Sequence, residues 1–174
     1  GEYVLDHCTK LTEICYTKID ADLLENISPH LALKGRLGID GEVSFEQLKA
    51  KFPNLNDVYF DNHISNEYMT KFCSDFPLLD KLGFDCEAES SDNLSTAISL
   101  LQNLRTLELW RGFTEDQVYT IIKNLTNLED FFMSDVTLSH QSFLCLARMP
   151  RLHTLRINLE TGYRNLHLLT NKNN

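Results

Sequence analysis

The chain has 174 residues, enough for one domain with a core of its own, and its 43% hydrophobic and 24% charged content is that of a globular protein. No apolar run approaches the roughly 20 residues of a membrane span, so no membrane role is expected. The formal charge of −9, with 16 Asp/Glu against 8 Lys/Arg in residues 1–87 and 9 against 8 in 88–174, argues against nucleic acid as a partner.

In chain order, Tyr3, Val4 and Leu5 read as the end of a helix from an earlier unit. CTKLTEICY (8–16) then introduces a pattern, apolar-x-x-L-x-x-apolar-x-apolar. A weaker copy, LKGRLGI (33–39), has Lys34 in the leucine position. Ser44 and Gln47 have the spacing of a helix-starting capping box. FPNLNDVYF (52–60), FPLLDKLGF (76–84) and LQNLRTLEL (101–109) repeat the pattern fully. Thr114 and Gln117 mark another helix start, followed by Val118, Ile121, Ile122 and Leu125 at helical spacing. LTNLEDFFM (125–133), a helix around Phe143, Leu144 and Ala147, and MPRLHTLRI (149–157) complete the series. TGYRNLHLL (161–169) reads as a C-terminal cap or a truncated further unit, and NKNN as a disordered tail. The domain is therefore expected over 1–160, as a piece of a longer protein, with a cap remnant and tail over 161–174.

The leading leucine positions fall at 11, 34, 55, 79, 104, 128 and 152, a nearly constant period. Within each unit the alternation Val58-x-Phe60 or Leu107-x-Leu109 describes a short strand with one buried face. A strand of about three residues and one helix cannot bury that face alone, but stacked parallel copies can. Phe or Pro ahead of the leucine closes each helix, and Pro53, Pro77 and Pro150 stand where no ladder bond is lost.

These motifs resemble the leucine-rich-repeat superfamily, and Cys8 to Leu11 with the FP-x-L segments look most like the repeats of F-box leucine-rich-repeat proteins. The resemblance implies an α/β, right-handed solenoid of about seven repeats, with a parallel sheet on the concave face and helices on the convex face. It further implies a protein-interaction module: the substrate-recognition part of an SCF-type ubiquitin-ligase adaptor, or alternatively a scaffold or regulatory subunit of a nuclear or cytosolic complex with no ligase role. Five scattered cysteines without a CxxC pair read as reduced thiols, which fits cytoplasm or nucleus and argues against an extracellular receptor.

Strand residues alternating with the buried ones should form outward columns. One holds Cys15, Gly38, Tyr59, Gly83, Glu108, Phe132 and Arg156. The column after it holds Thr17, Asp40, Asp61, Asp85, Trp110, Ser134 and Asn158, and the column before it Glu13, Arg36, Asp57, Lys81, Thr106, Asp130 and Thr154. Tyr59, Trp110 and Phe132 are outward aromatics of the kind that anchor interfaces. Asp40, Asp61 and Asp85 form an expected acidic row that a partner's Lys or Arg could relieve. The partner-binding residues expected are Tyr59, Asp61, Asp85, Glu108, Trp110, Phe132 and Arg156, for a protein partner with a basic or apolar anchor. No HExxH, GxSxG, P-loop or calcium-loop spacing occurs, so no catalytic residue, metal or cofactor is expected.

Overall fold

The computed structural model describes residues 13–27, 32–60, 64–85 and 91–158. Strands and helices alternate along the chain: β1 (Glu13–Ile19), α1 (Ala21–Asn26), β2 (Ala32–Ile39), α2 (Phe45–Lys51), β3 (Asp57–Phe60), α3 (Asn66–Asp75), β4 (Lys81–Phe84), α4 (Asp92–Ser99), β5 (Thr106–Leu109), α5 (Glu115–Ile122), β6 (Asp130–Ser134), α6 (His140–Arg148) and β7 (Thr154–Asn158). The strands form one sheet in sequence order, every neighbouring pair parallel. This is an α/β fold with a seven-stranded, all-parallel sheet, compatible with a solenoid.

Register follows the sequence period from β2 onward. Val58, Leu82, Leu107, Phe131 and Leu155 lie opposite one another, as do Phe60, Phe84, Leu109, Met133 and Ile157. Through β6 these side chains are almost fully buried; on β7, Leu155 and Ile157 are only half-buried. Helix residues Phe72, Leu94, Ile98, Val118, Ile121, Phe143 and Leu146 share their core. Rings reinforce it at one level: Phe60 meets Phe72 edge-on at 4.7 Å and stacks on Phe84 at 5.4 Å.

The strand entrances repeat as well. The Asp80 carbonyl accepts from Arg105 and Thr106 N–H, that of Arg105 from Glu129 and Asp130, and that of Glu129 from His153 and Thr154. At the exits, Asp85 N–H donates to Phe60 O (3.0 Å) and Trp110 N–H to Phe84 O (2.9 Å). The residue leaving each of these strands is thereby fixed to the strand before it.

The first unit departs from the expected register. Gly38 lies opposite Lys18, not Cys15; Glu13 lies opposite Ala32, Cys15 opposite Lys34 and Thr17 opposite Leu37, which removes Glu13, Cys15 and Thr17 from the columns assigned to them. The physical reason is that β1 and β2 run to seven and eight residues, and their pairing absorbs an irregularity between Cys15 and Thr17. The helix end at Tyr3–Leu5, the motif from Cys8 to Leu11, the cap and tail over 161–174, and Asp61 lie outside the described residues.

The expected helix boundaries hold. Ser44 accepts from Gln47 N–H, and Thr114 with Gln117 forms a reciprocal capping box. Phe52 and Phe76 are the C-caps of α2 and α3. Neighbouring helix starts are also cross-linked. The Glu115 carboxylate on α5 accepts from Ser139 N–H (3.2 Å) and the Ser142 hydroxyl (2.5 Å), both at the start of α6. Burial opposes the charge on Glu115, but the bonds from Ser139 and Ser142 outweigh it and hold its pKa below the ordinary 4.5. A depressed folded-state pKa contributes stability that is present above the unfolded value and is lost as pH falls through the folded one. Urea unfolding of wild type and Glu115→Gln should therefore show the wild type more stable at pH 7, with the gap shrinking as pH falls below about 4.5. A gap that stays constant into acid would contradict this link between units.

Candidate functional site

Alternation along the strands turns Tyr59, Glu108, Phe132 and Arg156 to the face opposite the core, in one register column with Gly83. Trp110 lies one step beyond Leu109 and, at 39%, is the most exposed aromatic among the described residues. Its turn continues through Gly112, whose φ of 82° favours a residue without a Cβ.

An ion-pair network crosses this face. Arg36 on β2 donates from Nε to Asp57 Oδ1 (3.0 Å) and forks onto Glu108, Nη2 to Oε1 at 2.7 Å and Nη1 to Oε2 at 3.2 Å. Lys81 Nζ stands 3.9 Å from the other Asp57 oxygen. From β2 to β5 is three strand spacings, about 14 Å, so both side chains must lie along the sheet. Gly83, between them on β4, leaves that path open. A Cβ there would come within 2.5 Å of Tyr59 Cδ2, because the Tyr59 ring leans over the glycine. The Arg36 guanidinium carbon lies 5.8 Å from the centre of the same ring. Burial works against the charge on Arg36, yet the bonds and charges of Glu108 and Asp57 more than offset it and raise its pKa.

Glu108 links this network to the aromatic end of the face: its Oε2 accepts from Trp110 Nε1 at 3.3 Å. The indole is thus oriented by a carboxylate that Arg36 already holds. Beyond it, the Arg156 guanidinium lies 5.0 Å from the Phe132 ring centre. Glu108, Trp110, Phe132, Met133, Leu155, Arg156, Ile157 and Asn158 line a groove of about 640 Å³.

Five of the seven expected site residues, Tyr59, Glu108, Trp110, Phe132 and Arg156, are thus on one connected surface. The acidic row behaves differently from the expectation. Asp40 pairs with Lys18 (3.1 Å) and Asp85 with Arg111 (2.6 Å), so the chain supplies its own cations, while Asp61 lies outside the described residues. Arg36 was not among the expected site residues. No local sequence pattern marks it: Gly83 lies under the Tyr59 ring, and Gly38 lies against Lys18.

Elsewhere, Cys73 is buried, which pushes its thiol up to about 12, and Cys145 is half-buried against the core, its pKa raised by burial with Arg148 opposing. Among the described residues no three His, Cys, Asp or Glu are grouped to hold a metal ion, and no helix is long and apolar enough to cross a membrane. Searches of protein-family models and of curated proteins found no match to the chain.

The Tyr59–Gly83 contact is testable by a double-mutant cycle. Gly83→Ala should destabilise the protein by about 1–3 kcal/mol in urea unfolding through overpacking. The same change in a Tyr59→Ala background should cost less than about 0.5 kcal/mol, since the clashing ring is gone. Equal costs in both backgrounds would mean that the ring does not lie over Gly83.

Proposed function

We propose that this chain is a leucine-rich-repeat solenoid that binds a protein partner on the concave, outward face of its sheet. The observation that carries the proposal is the groove at β5–β7, where the outward side chains of Trp110 and Phe132 line a concavity of about 640 Å³. Aromatics that stabilise no core are costly in water and are enriched where interfaces are anchored. The near-constant repeat, the in-register parallel sheet and the matching inward columns support the solenoid.

The resemblance to F-box leucine-rich-repeat proteins further supports a role in selecting substrates for an SCF-type ubiquitin ligase. In that role the face described above would hold the protein to be modified, and the ligase-docking segment would belong to another part of the protein. A scaffold or regulatory subunit would use the same face without ligase components. The cytoplasm or nucleus is the compartment proposed for either role.

Affinity capture from native extract, with wild type and the double variant Trp110→Ala, Phe132→Ala, tests the binding face once circular dichroism shows both folded. A partner held by the wild type should be retained at least about 30-fold less tightly by the variant, the loss expected from removing one anchor worth about 2 kcal/mol. Ubiquitin-ligase components recovered with it would favour the adaptor role. Equal retention by both chains would exclude the aromatic groove as the binding face.

A further inference from the structure

Two kinds of charge meet on the outward face, and among the described residues that line the groove only Arg156 carries a charge with no ion pair. Asp40, Asp57, Asp85 and Glu108 each have a cation of the chain itself within ion-pair distance: Lys18, Arg36 with Lys81, Arg111, and Arg36 again. A partner's lysine or arginine would have to displace these pairs. Asp130 accepts a bond from the Thr106 hydroxyl at 3.4 Å, but it stands outside the lining of the groove.

Arg156 is the exception. It lines the groove with an exposed side chain, and among the described residues no carboxylate forms an ion pair with it. Its contact is with the Phe132 ring, 5.0 Å from the guanidinium carbon. A guanidinium stacked on an aromatic face keeps its planar fork available, and that fork matches a carboxylate through two parallel hydrogen bonds. Trp110 and Phe132 offer apolar surface in the same groove, whose volume of about 640 Å³ is within the range of about 300–1,000 Å³ typical of ligand pockets.

We propose that the groove selects a protein segment that places an Asp or Glu carboxylate beside an aromatic or large aliphatic residue, the carboxylate pairing with Arg156 and the apolar side chain lying between Trp110 and Phe132. This rests on the binding role proposed above, and it replaces the basic anchor expected from the sequence with an acidic one. In a chain of net charge −9 such a preference is local, since it depends on one guanidinium that no carboxylate of the described residues pairs at the groove.

The test is to pan a phage-displayed library of random peptides, each about twelve residues long, on folded wild type, on Trp110→Ala, Phe132→Ala, and on Arg156→Glu. Wild-type clones should carry Asp or Glu within two positions of Phe, Trp or Leu. They should bind Arg156→Glu at least about tenfold more weakly, and that variant should enrich Lys- or Arg-containing clones instead. Clones that depend on Trp110 and Phe132 but are rich in Lys or Arg, or are indifferent to Arg156→Glu, would overturn the acidic preference and leave the binding face intact. If no clone depends on Trp110 and Phe132, both the preference and the binding face are wrong.

Discussion

Everything in this fold depends on one shortage: a four-residue strand has only two inward side chains, and a single strand and helix cannot enclose them. Val58 and Phe60 are buried because Leu82 and Phe84 stand opposite them, and those because Leu107 and Leu109 follow. A slip of one residue between two strands would turn each inward pair outward, so register is strongly specified wherever these columns form. The strand-entry carbonyls that accept from two successive N–H groups of the next unit, and the Glu115 link to the start of α6, fix the same spacing from outside the core.

That division leaves the other face of the sheet free of any duty to the core, and its side chains have sorted themselves by charge. Arg36 and Glu108 tie β2 to β5 across the ring of Tyr59 and the bare backbone of Gly83. Removing Arg36 would leave Glu108 half-buried and without its counter-charge, which costs more than an exposed pair ever contributes. The same Glu108 positions Trp110, so the network orders the aromatic wall of the groove in the folded chain itself. Preorganisation of this kind favours binding because the side chain entropy is already spent in folding.

Much of this was legible in the chain and some was not, for identifiable reasons. From β3 to β7, period and alternation fix which residues face inward, because a two-residue strand period leaves no other choice. The same reasoning misplaced β1. There the motif CTKLTEICY matches the repeat well, but two longer strands pair through an irregularity that no periodicity records. The outward columns were readable as positions and not as contacts. That Asp85 belongs to Arg111, or Asp40 to Lys18, depends on rotamers and loop turns. The reach of Arg36 to Glu108 joins residues 72 apart and needs a glycine between them, a coincidence of three strands that no local pattern encodes.

The central claim is that a partner occupies the groove beside Trp110, and this is the only tryptophan in the chain. Its emission is therefore a reporter at the proposed site. Titrating a captured partner, or a panned peptide lacking tryptophan, into the folded chain should shift Trp110 emission to the blue or quench it, in step with binding followed independently by calorimetry. Binding that saturates in the calorimeter while Trp110 emission stays unchanged would place the partner elsewhere on the molecule and contradict the account.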